Sequence, residues 1–562
     1  MNLKDFPVKT VESDVLVIGG GGAGLMAAIK AECNVVIAVK GVGATVMAPG
    51  GVAGVGSWCK TGDSKDLHFK DTVKGGAYLN EQKLVRILVD EAPDRILELE
   101  RFGAYWERED EQRYDLTNGG GHTYWRSVYL EDHTGRELFS SLQSEVRRLS
   151  NIRIFNNSMV TRILTSNGSV AGATAIDVNY GNAILFRAKA IILATGGAGE
   201  LFPIQSQPVG CTGDGFAMAL HAGAELIDME CVQFFPIGLA YPDELKGILC
   251  GTPYFVHLYN AKHERFMKNY DADRMEVTTR DVLSRAMYKE IQEGRGTVHG
   301  GIYADATYNP PEFFEKHWPF IYDRAKKLGL DMTKERFEVA PTVHYFMGGT
   351  RINDAWQTTV PGLFAAGEVA GGVHGANRLG QNSLADIAVG GARAGKSAGE
   401  YAAKTHLLPL PEEKVEQEYM RVYGLLTKTG GDVRPYKIRK KIQQIMWNLV
   451  GLIRTESSLK QALEELSNLR TGELTRVSIS SSSIRRNREW IEALELYDLL
   501  DSAECTVRSA IVRRESRGAH YRKDYPTSNH VNFLKHIVTS IENGEIRTGE
   551  CPVDLSEIQP GN

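Results

Sequence analysis

Cysteine is scarce in this chain of 562 residues, and the seven that occur are scattered. They are Cys33, Cys59, Cys211, Cys231, Cys250, Cys505 and Cys551. None of them forms a C-x-x-C pair, which excludes a local iron–sulfur ligand run and a thioredoxin-like redox pair. We expect no metal site in this chain, and the odd count fits a reducing, cytoplasmic setting.

Long apolar runs are missing as well. No stretch reaches the ~18 residues that a membrane-spanning helix needs. The first residues, Met-Asn-Leu-Lys-Asp-Phe-Pro, lack the apolar core of a secretion signal. The net charge of −5 gives no reason to expect nucleic-acid binding, and no internal repeat or low-complexity segment is visible. These absences leave a globular protein with no membrane span of its own.

Glycine, in contrast, is abundant, with 58 residues that cluster in short runs between apolar segments. The first run lies in Ser13-Asp-Val-Leu-Val-Ile-Gly-Gly-Gly-Gly-Ala-Gly-Leu-Met-Ala-Ala28. Val15 to Ile18 predicts a buried strand, and Leu25 to Ala31 predicts a helix. Between them Gly19, Gly21 and Gly24 fit G-x-G-x-x-G, in which backbone approaches a pyrophosphate at a helix N-terminus. Because this G-x-G-x-x-G match lies between a predicted strand and a predicted helix, it predicts a dinucleotide site. An ordinary Gly-rich turn is the alternative.

One part of that fingerprint is absent. A second strand is predicted at Asn34 to Val39, and its end should carry an acid for the ribose hydroxyls of NAD. The chain has Ala38, Val39 and Lys40 there. This favours FAD over NAD.

The composition changes along the chain and predicts a discontinuous nucleotide-binding domain. Residues 80–105 are charged and amphipathic, which predicts a helix, and residues 150–198 carry short Val/Ile/Thr-rich runs typical of strands. Residues 241–340 exchange glycine for aromatic and charged residues, which predicts an inserted domain. Residues 406–525 are rich in Glu, Lys, Arg and Leu, and residues 526–562 read as an extended tail. An active site is expected between the two Gly-rich segments and the insert.

Several further motifs occur in order. They include Gly43-Ala-Thr-Val-Met-Ala-Pro-Gly-Gly51, Thr212-Gly-Asp-Gly215, Thr279-Arg-Asp281, Pro341-Thr-Val-His-Tyr-Phe-Met-Gly-Gly349, Gly362-Leu-Phe-Ala-Ala-Gly-Glu368, His374-Gly-Ala-Asn-Arg-Leu-Gly-Gln-Asn-Ser-Leu384 and Ser516-Arg-Gly-Ala-His-Tyr-Arg522. Together they resemble the flavoprotein subunits of the succinate dehydrogenase/fumarate reductase family, which also includes L-aspartate oxidase and adenylylsulfate reductase. The resemblance covers residues 14 to about 525.

The resemblance implies an α/β fold: a Rossmann-like FAD-binding domain (1–240 and 341–405), an inserted α+β capping domain (241–340) and a C-terminal helical domain (406–525). Asp214 and Glu368 would bond ribose hydroxyls, and Ser383 and Leu384 would present backbone to the flavin ring. The full set of implied FAD-binding residues is Gly19, Gly21, Gly22, Ala23, Gly24, Lys40, Ala44, Thr45, Gly50, Gly51, Thr195, Gly196, Asp214, Tyr345, Glu368, Asn382, Ser383 and Leu384.

The same resemblance implies three substrate residues. Arg378 matches the family's carboxylate clamp, His344 its hydrogen-bonding partner, and Arg280 the arginine that exchanges a proton with the substrate carbon. A carboxylate in a dry pocket needs such cationic and hydrogen-bonding partners. The alternatives are a structural salt bridge for Arg378, a core histidine for His344, and an ion pair with Asp281 or a helix-surface charge for Arg280.

Three departures from the family pattern matter. Ala44 stands where membrane-bound members carry the histidine joined covalently to FAD, so we expect non-covalent FAD. The family's fumarate-binding enzymes have Gln-Tyr-His-Pro-Thr where this chain has Gln233-Phe-Phe-Pro-Ile237. Phe235 thus replaces a ring that donates a hydrogen bond, and Ile237 replaces a hydroxyl. The family's proton relay uses a Glu and an Arg, and neither is found around residues 249–257. Tyr254 or His257 could take over the relay, with ordinary packing of the capping domain as the alternative.

The leading hypothesis is therefore an FAD-dependent oxidoreductase that transfers hydride between FAD N5 and a carbon–carbon bond beside a carboxylate. It would exchange electrons with an iron–sulfur partner subunit in a hetero-oligomer, and any membrane association would come through partner subunits. The basic run Lys437 to Lys441 could contact that partner or form a solvated face. Adenylylsulfate-reductase-like sulfur chemistry, a self-contained oxidase like L-aspartate oxidase, and an electron-relay flavoprotein remain alternatives.

Overall fold

The computed structural model describes residues 8–111, 113–117, 119–250, 255–278, 280–428 and 431–561. The strands are β1 (Val8–Ile18), β2 (Val35–Val39), β3 (Val52–Ala53), β4 (Ser127–Val128), β5 (Ile152–Asn156), β6 (Ser158–Ser166), β7 (Ser169–Asp177), β8 (Ala183–Leu193), β9 (Leu226–Ile227), β10 (Val232–Leu239), β11 (His257–Tyr259), β12 (Ile302–Asp305), β13 (Phe337–Phe346), β14 (Gly349–Thr350), β15 (Leu363–Ala365), β16 (Lys535–Glu542) and β17 (Glu545–Pro552).

The helices alternate with these strands in the first half of the chain and dominate the second. They are α1 (Gly22–Lys30), α2 (Lys65–Gly75), α3 (Gln82–Arg101), α4 (Thr134–Arg148), α5 (Asp214–His221), α6 (Arg280–Glu290), α7 (Pro311–His317), α8 (Pro319–Lys327), α9 (Asn382–Ala403), α10 (Glu412–Thr427), α11 (Pro435–Val450), α12 (Glu456–Asn468), α13 (Arg488–Val512) and α14 (His530–Phe533). The strand–glycine–helix unit predicted at the first glycine run is thus confirmed as β1 and α1.

The largest sheet has the order β5-β2-β1-β8-β7-β6, and β15 pairs alongside the C-terminal end of β8. The pairs β1–β2, β1–β8, β2–β5 and β8–β15 are parallel, whereas β6–β7 and β7–β8 are antiparallel. Val15 to Val17 are fully buried in the centre of this sheet, as their continuous apolar run predicts. The parallel strands bring their carboxyl ends to one edge, which is where ligands bind in open α/β sheets.

Small residues bring α9 against α1. A Cβ added to Gly391, Gly395 or Gly399 would meet backbone oxygens of α1 and the residue that follows it at 2.6, 2.2 and 2.1 Å. These glycines are four residues apart, so they line one face of α9 and let the two backbones approach closely. As a result the N-termini of both helices lie at the same edge of the sheet.

The chain enters and leaves the inserted region through two paired strands. β10 and β13 run antiparallel, and they continue into a sheet of order β10-β13-β12-β11. This sheet packs with α6, α7 and α8 around a hydrophobic core of its own, which includes Leu258, Met287 and Phe314. A separate core for residues of the insert supports the predicted capping domain, whose boundaries stay a prediction.

Residues near the C-terminus return to the first half of the chain. The helices α10 to α13 pack on one another, and β16 and β17 form a hairpin that pairs with β9. On β16, His536 is buried between Asp228 at 2.5 Å and Glu81 at 2.8 Å. Burial alone would lower the pKa of His536, but these two carboxylates raise it to about 9. The predicted extended tail therefore contains a hairpin joined to the nucleotide-binding part by buried charges.

Candidate functional site: a glycine-lined cleft under the inserted domain

A deep cleft opens where β1, β2 and β8 end and α1, α5 and α9 begin. Gly19 follows β1, Thr195 and Gly196 follow β8, and Ser383 and Leu384 lie in the first turn of α9. Ile248 and Leu249 of the inserted region line the same cleft. The cleft thus lies between the two predicted domains, with helix N-termini that favour an anionic ligand.

The glycines of the first turn have distinct roles. Gly19 has φ +115°, and a Cβ there would lie 2.2 Å from the Ala194 oxygen. A Cβ on Gly24 would lie 2.0 Å from the Gly19 oxygen, so this glycine lets α1 pack on the turn. At Gly21 the nearest atom to such a Cβ is Thr45 Oγ1 at 3.5 Å, which leaves an open side facing the cleft. Tight packing behind the turn and open space in front of it fit a pyrophosphate on the backbone.

Lys40 occupies the place where an NAD site has an acid, and it organises two carboxylates. Its Nζ lies 2.5 Å from Asp214 Oδ2 and 3.0 Å from Glu495 Oε1. Burial lowers the pKa of Lys40, but both carboxylates outweigh this effect and raise it above its usual value. Asp214 also accepts a hydrogen bond from the Thr212 hydroxyl. The predicted ribose ligand Asp214 is therefore held in a fixed position at the cleft wall.

Glu368 lies in the turn after β15, and its carboxylate accepts hydrogen bonds from two groups. Gln207 Nε2 donates to its two carboxylate oxygens at 2.6 and 2.8 Å, and the Phe346 amide donates at 2.9 Å. Burial raises the pKa of Glu368 to about 7 despite these hydrogen bonds. This carboxyl group can therefore change its protonation state near neutral pH.

Most of the predicted FAD-binding residues line the cleft, and four lie behind its wall. The lining ones are Gly19, Gly21, Gly22, Ala23, Lys40, Ala44, Thr45, Thr195, Gly196, Asp214, Tyr345, Glu368, Ser383 and Leu384. Gly24, Gly50 and Gly51 pack against protein atoms instead. The Asn382 side chain points away from the cleft. Its Oδ1 is hydrogen-bonded to His68 Nε2 at 2.9 Å, and its Nδ2 donates to Thr72 Oγ1 at 3.0 Å.

The ring of Phe235 lies between two of the three predicted substrate residues. The Arg280 guanidinium lies over the Phe235 ring, with Cζ 4.9 Å from the centroid. The His344 ring meets the same ring edge-on at 5.8 Å. Because Phe235 is on β10 and His344 on β13, the strands that connect the two domains carry this cluster.

Arg378 is the third predicted substrate residue, and it is almost completely buried, with 4% of its surface exposed. Nη2 donates to Gln233 Oε1 at 2.9 Å, and Nη1 donates to the Leu379 oxygen at 3.0 Å. Nε has no partner among the described residues. Burial lowers the pKa of Arg378 to about 10, so the group is still cationic at neutral pH. The salt-bridge alternative is not supported, since no carboxylate in the described part of the chain pairs with it.

The structure also places the residues of the other sequence hypotheses. Ile237 is 1% exposed and packs in the core of the insert rather than beside a ligand. His257 stacks on Tyr308 at 4.6 Å, whereas Tyr254 lies outside the described residues. In the basic run, Lys437, Lys440 and Lys441 are exposed on α11, but Arg439 turns inward to Glu200 at 2.9 Å and Glu495 at 2.7 Å.

Sequence reasoning missed the residues that orient the predicted ones. Ser206 bonds His344 Nδ1 at 2.9 Å, and Gln207 holds Glu368. No spacing pattern marks either residue, because both contacts join distant segments. Gln233 did carry a signal, since it begins the motif that contains Phe235.

A dinucleotide cleft that lacks the NAD acid, with His344 in its lining and Arg378 bonded to Ser383 of that lining, fits a flavin-dependent oxidoreductase. Comparison with known families agrees. Residues 14–384 match the FAD binding domain family, and residues 439–562 match the fumarate reductase flavoprotein C-terminal family. The chain belongs to the family of fumarate reductase and succinate dehydrogenase flavoprotein subunits, and FAD is its cofactor.

Individual relatives cover nearly the whole chain. A subunit of the fumarate reductase (CoM/CoB) of Methanothermobacter marburgensis is 43% identical over 92% of this chain and 95% of its own length. The fumarate reductase flavoprotein subunit of Mycobacterium tuberculosis is 36% identical over 98% of this chain and 99% of its own. The structure of Mycobacterium smegmatis Sdh1 in complex with UQ1 matches with a TM-score of 0.90 at 36% identity, covering 98% and 95% of the two chains.

Among the described residues, no helix combines the length and the apolar character needed to cross a membrane.

Proposed function

We propose that this chain catalyses hydride transfer to or from a carbon–carbon bond beside a carboxylate, with fumarate as the first candidate substrate. The observation that carries the proposal is the contact of Arg280 and His344 with Phe235, beside the flavin cleft, with Arg378 close enough to lower the pKa of His344. The name of the Methanothermobacter marburgensis relative supports fumarate. When bound, FAD supplies hydride exchange at its N5 atom.

Arg378 would hold one carboxylate of the substrate. Its guanidinium is buried and cationic, and Nε offers a hydrogen bond that no described residue uses. A buried charge without a counter-ion is costly, so a carboxylate ligand is stabilised there. Gln233 and the Leu379 oxygen fix the orientation of the guanidinium before the ligand arrives.

His344 would add a neutral hydrogen bond. Burial, together with Arg378 and Arg280, holds the pKa of His344 well below its usual value, so the imidazole is uncharged. In the tautomer in which Ser206 donates to Nδ1, Nε2 carries the proton and can donate to a carboxylate. A neutral donor beside two guanidinium groups avoids adding a third positive charge.

Arg280 would exchange the proton. It begins α6 in the capping domain, and its guanidinium lies over the Phe235 ring. Arginine has a pKa above about 12 in water, so it can act only where desolvation and a proton relay assist it. The glutamate and arginine of the family relay are not found in this sequence, so another group must restore the proton.

A partner subunit would supply the electrons. The seven cysteines are all free in the structure, and they form no cluster-binding motif in the sequence. The relatives are named as subunits of larger enzymes. We therefore propose an iron–sulfur partner in a hetero-oligomer, and any membrane association would come through partners.

The test is an anaerobic assay of the purified chain with FAD and a reduced viologen dye. Fumarate-dependent dye oxidation is expected, with FAD retained but turnover lost in Arg280→Gln. No oxidation with fumarate or with the monocarboxylate crotonate would overturn the proposal. Rapid formation of hydrogen peroxide in air, with no effect of fumarate, would instead support a self-contained oxidase.

The partner is tested separately, by tagging the chain in its native host. Co-purification of a protein that carries iron and acid-labile sulfide is expected. A chain that is active in extracts yet always purifies alone would refute the hetero-oligomer.

A further inference from the structure

A group of buried polar atoms lies behind the candidate active site, starting at Tyr345. Tyr345 lines the cleft, and the Arg378 guanidinium lies over the face of its ring, with Cζ 4.9 Å from the centroid. Its hydroxyl is sealed from solvent and has no hydrogen-bond partner among the described residues. The hydroxyl therefore points into the protein, although the ring borders the cleft.

The next members are His374 and Asp386. The Tyr345 and His374 rings meet edge-on with centroids 5.3 Å apart. His374 Nε2 and Asp386 Oδ2 are 3.5 Å apart, too far for a strong hydrogen bond. Both ring nitrogens of His374 and Oδ1 of Asp386 have no hydrogen-bond partner in the part of the chain that is described. Each of these two side chains is about 2% exposed.

Four unpaired polar atoms on three neighbouring side chains are unusual for a protein interior. Buried polar groups in folded proteins are nearly always paired, and ordered water pairs those that other residues do not reach. A water molecule needs two to four polar neighbours, and this group supplies that number. The arrangement has the chemistry of a small internal water site.

We propose that ordered water links the Tyr345 hydroxyl to His374 and Asp386, and that this buried polar chain positions Arg378 for the carboxylate. The role for Arg378 rests on the proposed function. Tyr345 holds one face of the guanidinium, so fixing the hydroxyl fixes the plane on which the guanidinium lies. His374 begins the segment that ends at Arg378, and the Ala376 amide within it donates to the Gly76 oxygen at 2.8 Å. The segment is therefore held at its middle residue.

Nothing in this arrangement makes the three residues catalytic, since only Tyr345 borders the cleft. They are positioning residues that act through Arg378. A purely structural role predicts lower stability alone. The positioning role predicts weaker anion binding in a protein that still holds FAD.

The experiment compares Tyr345→Phe, Asp386→Asn and the double variant. The probe is succinate, titrated into the FAD-loaded chain and followed by the flavin absorbance change. Each single variant is expected to raise the Kd about tenfold, with the signal expressed per bound FAD because Tyr345 also lines the FAD cleft. The double variant should show little further loss of succinate affinity, because both substitutions break the same chain of hydrogen bonds.

Tyr419→Phe is the matched control. The Tyr419 hydroxyl is equally buried and donates to the Ile184 oxygen at 2.7 Å, but it belongs to α10, away from the cleft. Its removal should lower the melting temperature and leave the succinate Kd unchanged. Equal Kd values in wild type and Tyr345→Phe, or fully additive effects in the double variant, would overturn the positioning role.

A high-resolution crystal structure of the FAD-loaded chain tests the water site without any substrate. Water within hydrogen-bonding distance of the Tyr345 hydroxyl and either His374 or Asp386 is expected, and a dry site would refute it. If wild type binds no succinate but the water is present, the proposed function fails and the water site stands. The positioning of Arg378 for a carboxylate is then wrong as well.

Discussion

The Arg280 guanidinium lies over the ring of Phe235, with Cζ 4.9 Å from the ring centroid. A cation over an aromatic face gains an attraction, but the ring offers no hydrogen bond to a ligand. The family pattern has a polar ring at this position. Phe235 therefore keeps Arg280 in place and makes one side of the candidate substrate site apolar.

Replacing Phe235 by His should shift selectivity toward dicarboxylates. A second polar ring beside Arg280 can donate to the far carboxylate, and one such hydrogen bond is worth about tenfold. The measurement is the ratio of kcat/KM for fumarate to that for crotonate. Ile237→Thr is the control, because Ile237 is buried in the capping core and should change only stability. An unchanged or lower ratio in Phe235→His would contradict this role of Phe235.

Replacing Lys40 by Met should weaken both the fold and FAD binding. The change leaves Asp214 and Glu495 facing each other without their shared cation, and breaking a buried ion pair costs about 3–5 kcal/mol. Lys40 keeps 22% of its side-chain surface exposed, so the lower end of that range is expected. Thermal unfolding and FAD titration measure the two effects. Lys30→Met removes the Lys30–Glu98 ion pair away from the cleft and should lower stability without changing FAD affinity.

The protonation of Glu368 should make the stability of the FAD-free chain depend on pH. Burial raises its pKa to about 7 from 4.5, so the native state binds a proton more tightly than the unfolded chain. Stability is then greatest below pH 4.5 and is lost as the pH rises through 7, as far as this group is concerned. Denaturant unfolding between pH 5 and 8 should show a fall that Glu368→Gln reduces. A variant with the same pH slope as wild type would exclude Glu368 as its source.

The C-terminal hairpin should loosen in mild alkali. Asp228 and Glu81 raise the pKa of His536 to about 9 against the cost of burial, so the protonated form stabilises the fold. That contribution is complete below pH 6.5 and is lost as the pH rises through 9. Hydrogen exchange of the β16 and β17 amides, measured at pH 6.5 and 9, should report this change. In His536→Gln these amides should already exchange fast at pH 6.5, once the rates are corrected for the intrinsic pH dependence of amide exchange.

FAD should be released from the chain by acid. Ala44 lines the cleft at the family's attachment position, and its methyl group cannot bond the flavin. After precipitation with trichloroacetic acid, the yellow colour should remain in the supernatant. Colour in the protein pellet would show a covalent link elsewhere.

Local patterns in the sequence predicted much of this fold. The alternation of strand, glycine run and helix identifies β1 and α1, because both the turn and its packing are encoded within a dozen residues. The loss of glycine after residue 240 likewise indicated the insert. The hairpin of β16 and β17 was not predicted, since its pairing with β9 depends on residues about 300 positions earlier in the chain.

The candidate site shows the same limit. Motifs identified Arg280, His344 and Arg378, but not how each is held. Ser206, Gln207 and Glu495 reach the site from segments with no recognisable spacing, so only the folded backbone brings them into range. Asn382 belongs to a motif of the family, yet its side chain faces His68 and Thr72. Motif membership therefore did not reveal the direction of that side chain.

The ion pair of Lys40 with Glu495 joins positions 455 residues apart. A ribosome that has made the glycine turn must still synthesise most of the polypeptide before the second carboxylate emerges. We therefore expect cofactor loading to be a late event in the maturation of this protein, so fragments released early in translation should be colourless.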